Sequence, residues 1–345
     1  MDMFECFKPQ NMIDKITSAR TQERSLTSDE LWKLRDLLYC AEQDDRIIRV
    51  ARGEGRSSIL NPIASNDDIL FGWGMKAQHS LYKESAYRNF LEPGCVDAEN
   101  MCRIIIQYEN AISYRMAKHF PEYAQDARRA NNRYVQRLLA DVDRFHNEPE
   151  QLELIKDWLC TVLQTSGDIH FRKVSPWISA SLGEERYKTA YFFGGGRTST
   201  AGRPQGNYIK KRFVILDAWV RRDEEHFAFE RTADLIAKLN RINLPWYEDR
   251  HHEIMMKYAI YPHNLIGYYY FEDDHLLHYR VNPHYLNAWT RDPFFRIGDY
   301  VHIDQDLDNL PTDNPYRLIY SRLGDRFSVV RRVNPAEHEV QHGVE

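Results

Sequence analysis

The chain lacks the features that anchor a protein in a membrane or tie it together with disulfides. Its 345 residues contain no apolar run approaching the roughly 18 to 20 residues that cross a bilayer, and the N-terminal MDMFECFKPQ has neither the basic nor the apolar region of a signal peptide. The five cysteines are odd in number, scattered and never closely paired, which argues against a disulfide framework and a cysteine metal site. These absences predict a cytoplasmic protein with reduced cysteines and no membrane partner.

Known nucleotide-binding motifs are missing as well, and the residues around Glu253 do not form a known zinc motif. The glycine-rich segment 194–207 follows a predicted helix rather than a strand, and it matches neither the P-loop nor the dinucleotide fingerprint. Glu253 is not part of an HExxH motif, and the adjacent residues His251 and His252 would point to opposite faces of a strand, so both cannot bind one ion. A metal-dependent hydrolase that uses His251 and Glu253 stays open as an alternative.

The chain contains enough apolar residues to form a hydrophobic core. Apolar residues make up 43% of it and aromatic residues 13%, against a net charge of only -5, which predicts a globular protein rather than a disordered one. Helical periodicity predicts a lead-in helix within residues 1–45 and a block of three helices at about 97–165, where one apolar stripe runs from Ile105 to Phe120.

Short β-rich runs separate and follow these helices. They predict strands at 46–53, 208–220, 254–261 and 265–271, with further runs across 273–335. The fold class is therefore α+β. We expect the last residues, 336–345, to be disordered.

Glu253 is an acidic residue attached directly to an otherwise apolar run that is predicted to be extended. It precedes the predicted strand at 254–261, so it stands at the mouth of that strand. A carboxylate in such a place is held rigidly while one side stays open to a ligand. The competing interpretation is a surface glutamate beside two solvated histidines.

The segment RIIRVARG, residues 46–53, places Arg49 and Arg52 on another short strand that ends in a glycine-containing turn. An arginine on a strand inside a nucleotide site makes bidentate contacts to phosphate oxygens through its planar fork. The alternative is a pair of exposed arginines on an edge strand.

Three motifs in order resemble the ADP-ribosyltransferase superfamily, in particular its bacterial toxin members. RIIRVARG matches the arginine on the first core strand, SPWISAS followed by AYFF matches a serine-rich strand with its A-x-x-F helix, and HHEIMMKYAIYPHNLIGY matches the glutamate that opens a later strand. The resemblance covers roughly residues 46–272. It departs from many protein-modifying members at His251, where they have Gln or Glu.

The resemblance implies an organisation for the whole chain. A split antiparallel β core would span 46–272 and carry the helical block as an insertion, after a helical lead-in at 1–45. A β-rich extension would follow at 273–335.

The resemblance also implies roles for individual residues, with NAD as the substrate. Glu253 would be the catalytic carboxylate, because cleavage of the nicotinamide–ribose bond develops positive charge on the ribose. Arg49 or Arg52 would bind the diphosphate of NAD. Ser175 or Ser179 would contact the nicotinamide ribose, and Trp177 and Tyr191 would form an apolar wall around the nicotinamide ring.

The acceptor of ADP-ribose is suggested by a basic segment. Between Arg197 and Arg222 there are seven basic residues against Asp217 alone, a field that would attract a polyanion. Its candidate substrate-binding residues are Arg197, Lys210, Lys211 and Arg212. RNA or single-stranded DNA is therefore one possible acceptor and a protein side chain the rival, while likeness to the toxin members implies an inhibitory antitoxin-type protein partner.

The sequence also leaves one non-enzymatic function open. The β-rich C-terminal third could be the binding surface of a non-enzymatic interaction module, for which no NAD or metal would be needed.

Overall fold

The structure, a computed structural model, describes residues 5–55, 70–71, 75–76, 97–119, 132–165, 177–194, 212–221, 228–229, 233–244, 253–257, 259–260, 264–273, 275–287, 300–303, 318–323 and 326–332. Its helices in these stretches are α1 (Pro9–Asp14), α2 (Ser28–Gln43), α3 (Ala98–Gln107), α4 (Glu109–His119), α5 (Arg133–Arg144), α6 (Pro149–Thr165), α7 (Arg186–Gly194), α8 (Ala233–Arg241) and α9 (Pro283–Asn287). No helix of the described part is long and apolar enough to cross a membrane.

The strands of the same stretches are β1 (Ala19–Arg20), β2 (Ile47–Gly55), β3 (Met75–Lys76), β4 (Trp177–Leu182), β5 (Arg212–Arg221), β6 (Ala228–Phe229), β7 (Glu253–Lys257), β8 (Ala259–Ile260), β9 (Leu265–Glu272), β10 (His275–Val281), β11 (Tyr300–Ile303), β12 (Leu318–Leu323) and β13 (Arg326–Arg332). Eight of them form one sheet in the order β1-β10-β9-β5-β2-β4-β7-β6. All its pairs are antiparallel except β1 with β10. The predicted α+β class is confirmed.

The central position of β5 explains its composition. Residues 213–220 are all buried, since β5 pairs with β9 on one side and β2 on the other and both faces of the sheet are covered. One face, with Phe213, Ile215 and Trp219, packs in a core that includes residues of α1 to α8. The opposite face, with Val214 and Leu216, forms a second core together with Leu70 and other strand residues.

The helices begin where the sequence offers caps. Thr27 and Glu30 form a reciprocal capping box at the start of α2. Asp97 caps α3, and Asn132 caps α5. The helix predicted over Ile105–Phe120 is two helices instead of one.

The break between α3 and α4 lies at Tyr108. This residue has φ -108° and ψ 20°, outside the helical region, and its amide donates back to the carbonyl of Ile104. Because the interruption is one residue long, the apolar stripe passes through it almost in phase, so periodicity alone predicts a continuous helix. The block predicted to hold three helices thus contains four, α3 to α6, in its described residues.

The strands β11, β12 and β13 form a separate three-stranded sheet, and β3 pairs with β8. The runs predicted at 317–321 and 327–333 correspond to β12 and β13. The tail at 336–345 and most of the glycine-rich segment 194–207 lie outside the described residues.

Candidate functional site at the split of the sheet

The sheet brings the three sequence motifs onto three neighbouring strands. Glu253, the first residue of β7, lies opposite Ser181 of β4, and Ser181 lies opposite Ala51 of β2. Cross-strand partners point to the same face, with Cβ atoms about 4.5–5.5 Å apart. Ser181 is 7% exposed and Ala51 0%, whereas Glu253 is only partly buried. The carboxylate therefore stands at the outer end of a buried row of small residues.

The ladder between β2 and β4 is unusually short. It holds only the pairs Val50 with Leu182 and Ala51 with Ser181. Arg52–Glu54 and Ile178–Ala180 continue in the same register within the described residues, yet no pair joins them. The two strands therefore diverge beyond Ala51. This split lies one strand away from Glu253.

Arg52 follows Ala51 on β2, so its side chain leaves the opposite face of the sheet from the row that ends at Glu253, and it reaches into the split from that side. Its Nη1 donates to the backbone carbonyl of Ser179 on β4, and its Nε donates to Glu54 Oε1 at 2.6 Å. The side chain of Arg52 is 26% exposed and that of Glu54 is 9% exposed. Glu54 thus holds one edge of the guanidinium and leaves the group in contact with solvent, which is the arrangement of a cation available to an anionic ligand.

Ser179 lies between the arginine and the acidic strand. Its carbonyl accepts from Arg52, while its hydroxyl donates to the sulfur of Met255 at 3.3 Å. Met255 lies opposite Ser179 and two residues beyond Glu253, so Ser179 and Ser181 share the face of Glu253. A thioether is a weak acceptor, so this hydroxyl can turn to a better partner at low cost.

Arg49 lies in a different environment from Arg52. It is 6% exposed, and its Nη2 donates to Asp217 at 2.5 Å and to the hydroxyl of Tyr187 at 3.3 Å. Burial opposes the charged form, but Asp217 and Tyr187 outweigh it and raise the pKa of Arg49 well above its usual value. Tyr279 also donates to Asp217, at 3.2 Å. The charge of Arg49 is therefore engaged inside the core.

The start of α7 is tied into the same region. Arg186 forms a bidentate ion pair with Glu42 of α2 and donates to the carbonyl of Gly183 at 3.1 Å. Gly183, at φ +79°, makes the turn that leads from β4 into α7. These contacts fix the end of the strand that carries Ser179 and Ser181.

Tyr191 belongs to the apolar core. It is 8% exposed and makes edge-to-face contacts with Phe213 and Phe271, at centroid distances of 5.3 and 6.1 Å. Its ring also lies 4.7 Å from that of Phe7. This packing holds α7 against the sheet.

The remaining predicted residues fall on the surface or outside the described part. Arg212 opens β5 and pairs with Glu272 at 2.7 Å, with 60% of its side chain exposed. The backbone of Trp177 opens β4. The predicted residues outside the described stretches are Ser175, Arg197, Lys210, Lys211 and His251.

Three residues of the site were not predicted from the sequence, namely Ser181, Glu54 and Asp217. Glu54 had a usable signal, because in Arg52-Gly53-Glu54 the two charged residues alternate on a strand and so share a face. Asp217 had one too, as the only charged residue in the apolar run from Phe213 to Val220.

The described stretches hold no group of three or more His, Cys, Asp or Glu that could bind a metal ion. No family model matches the chain, and neither a curated protein nor a solved structure shows significant similarity to it.

Proposed function

We propose that the chain is an ADP-ribosyltransferase of toxin or effector type, which cleaves NAD and transfers ADP-ribose to a macromolecule. The observation that carries the proposal is the adjacency of β2, β4 and β7, which sets the arginine, serine and glutamate motifs side by side around one split in the sheet. These motifs lie far apart in the sequence.

In this reaction the bond between ribose C1′ and the nicotinamide nitrogen breaks, and nicotinamide leaves with the electron pair. The acceptor then bonds to C1′ and loses its proton. Positive charge builds on the ribose in between, so a fixed carboxylate stabilises the transition state more than the ground state. Glu253 supplies that carboxylate at the outer end of its row.

Arg52 is the arginine that binds the diphosphate in this proposal. Its guanidinium is partly exposed at the split and already oriented by Glu54 and by the carbonyl of Ser179. Arg49 has the same chemistry but lies in the core against Asp217, where a diphosphate would have to displace a buried ion pair.

Ser179 and Ser181 supply the polar contacts next to Glu253. Ser181 is its direct cross-strand neighbour, and the hydroxyl of Ser179 turns from Met255 towards a ribose hydroxyl when NAD binds. Trp177, on the same strand, stays in the proposal as a wall for the nicotinamide ring.

The acceptor and the regulation of the enzyme belong to the same proposal. RNA or single-stranded DNA is the favoured acceptor, because the segment Arg197–Arg222 carries seven basic residues in a chain of net charge -5. Unrestrained transfer of ADP-ribose in the cytoplasm would harm the host. We therefore propose that a protein partner of antitoxin type holds the enzyme inactive.

The decisive experiment is NAD cleavage by the purified chain, followed as release of nicotinamide. Pools of RNA, single-stranded DNA and lysate protein, each added with labelled NAD, identify the acceptor. Release of nicotinamide that is lost in Glu253→Gln supports the proposal. A folded wild-type chain that neither releases nicotinamide nor labels any pool would refute it.

A further inference from the structure

Two arginines converge at the edge of the sheet farthest from β7. Arg20 on β1 and Arg280 on β10 are cross-strand partners. Both donate to one carbonyl oxygen, that of Thr21, from Arg280 Nη1 at 2.5 Å and from Arg20 Nε at 3.4 Å. Since like charges placed opposite each other on a sheet repel, an anion bound between the two guanidinium groups would lower their free energy.

A flat aromatic stack lies beside this pair. His278, two residues before Arg280 and on the same face of β10, stacks on Tyr270 of β9 with ring centroids 5.1 Å apart and planes 17° from parallel. Both rings are partly exposed. Burial, helped by the charges of Arg280 and Arg20, lowers the pKa of His278 to about 4, so the imidazole is neutral at pH 7. The stack therefore offers an uncharged π surface next to two cations.

This surface is on the same sheet face as Arg52. In register, Arg280 lies opposite Tyr268, Tyr268 opposite Leu216, and Leu216 opposite Arg52. Three strand spacings separate the two ends of that row, about 14–15 Å. The row thus has a cation at each end, while Tyr268 and Leu216 between them are buried in the second core and the row of Glu253 lies on the opposite face.

We propose that Arg20, Arg280 and the Tyr270–His278 stack form a contact surface for single-stranded nucleic acid. One phosphodiester group lies on the paired guanidinium groups, and the neighbouring base packs against the stack. An acidic peptide would use the arginines but would gain nothing from the flat rings, which is why a nucleic acid strand is the occupant that fits both features. The role of this surface in holding the acceptor rests on the proposed transfer reaction. Binding of a nucleic acid strand to it requires no NAD.

The test is binding of a fluorescein-labelled oligouridine to the full chain, measured by anisotropy over a series of salt concentrations without NAD. In the double variant Arg20→Gln/Arg280→Gln the affinity should fall at least about tenfold, and the slope of log affinity against log salt should decrease by about 0.7 to 1, because one phosphate contact is lost. Arg103→Gln on α3 is the matched control, since it removes an exposed arginine elsewhere and should leave the binding unchanged.

Two further variants keep the test decisive if the glutamine variant does not fold. Arg20→Lys/Arg280→Lys retains both charges and should keep most of the salt dependence. Tyr270→Leu removes one ring of the stack and should weaken binding by about fivefold or more, without a change in the salt slope.

Wild-type affinity in a folded arginine variant would overturn the proposal, as would a polyglutamate peptide that competes as well as unlabelled oligouridine. Because the binding assay contains no NAD, its failure leaves the nicotinamide-release test of Glu253 unaffected. Conversely, a chain that releases no nicotinamide but still binds the oligouridine through these residues would refute the proposed transferase activity and not the proposed binding surface.

Discussion

Arg52 donates a hydrogen bond from its guanidinium to the backbone carbonyl of Ser179, across a gap where the β2–β4 ladder has ended. In this gap the guanidinium of a side chain donates to a carbonyl of the neighbouring strand, as main-chain amides do in the rest of the sheet. The strands remain connected while the gap keeps a cation in contact with solvent. Structure and proposed ligand binding thus depend on the same guanidinium.

The first prediction concerns Glu253. Glu253→Gln keeps the shape of the side chain and removes its charge, so nicotinamide release should fall by about 100- to 1000-fold while the melting temperature stays near that of wild type. Glu99→Gln, on the exposed side of α3, removes an equal charge and should retain full activity. Equal rates in the two variants would remove Glu253 from the mechanism.

The second prediction separates the two arginines. Arg52→Lys should raise the dissociation constant for NAD by about 10- to 100-fold, since a point charge cannot replace a planar fork on a diphosphate. Arg49→Lys should instead lower the melting temperature, because it disturbs the buried pair with Asp217. Calorimetric NAD titration and thermal denaturation of both variants check this. The assignment fails if NAD affinity responds to Arg49 and not to Arg52.

How much of this could be predicted from sequence depends on the residue. Alternating and helical apolar patterns located β2, β5, β7, β9 and most helices, since core burial imposes those periods on the side chains. The predicted strand at 254–261 is two strands, β7 and β8, and Glu253, predicted at the mouth of that strand, is the first residue of β7. The order of strands in the sheet was not predictable in this way, because it is set by contacts between distant segments.

The difference between Arg49 and Arg52 shows that limit clearly. Both lie on one short strand three residues apart and so point to opposite faces, but their local sequences do not say which of the two is buried. Burial of Arg49 is decided by Asp217 and Tyr187, which lie 168 and 138 residues away in the chain. The split that exposes Arg52 is likewise a property of how β4 pairs with β2.

The third prediction concerns the buried pair itself. Arg49→Met leaves Asp217 without its cation, and Asp217→Asn leaves Arg49 with only the more distant Glu42, at 4.0 Å, so each should cost about 3–5 kcal/mol in the free energy of unfolding. The double variant restores neutrality, and Asn keeps one acceptor oxygen for Tyr187 or Tyr279, which donate to different oxygens of Asp217. It should therefore be more stable than either single variant in urea denaturation. Simple addition of the two losses would show that the ion pair is not coupled.

The fourth prediction is a pH dependence centred on His278. Its pKa is about 4 in the folded protein against an ordinary value of 6.5, so between these values the unfolded chain binds the extra proton. Stability should therefore fall as the pH drops from about 6.5 to 4. His278→Phe keeps a ring on Tyr270 but cannot titrate, and its melting temperature should fall less over this window.

Two other titratable groups should affect wild type and His278→Phe equally. The pKa of Tyr270 is raised, mainly by burial, so its hydroxyl stays neutral throughout this pH range. The hydrogen bond from Arg24 and those from Thr27 lower the pKa of Glu30 to about 2, and its contribution is lost below 4.5 in both proteins alike. Identical pH profiles for wild type and His278→Phe would contradict the prediction.

The last prediction compares one substitution at two glycines. Gly183 has a φ of +79° and open space around the position of a Cβ, so Gly183→Ala should cost about 1–2 kcal/mol through backbone strain alone, and Gly183→Asn less. Gly267 has no such backbone demand, but a Cβ there would collide with the carbonyl oxygen of Arg280 and come within 2.6 Å of the ring of Tyr279. Neither neighbour can move freely, because Arg280 belongs to the β9–β10 ladder and Tyr279 donates to the buried Asp217. Gly267→Ala should thus destabilise the chain more than Gly183→Ala and displace β10. Urea denaturation measures the two costs, and a smaller cost at Gly267 would mean that β10 is less firmly held against β9 than its ladder indicates.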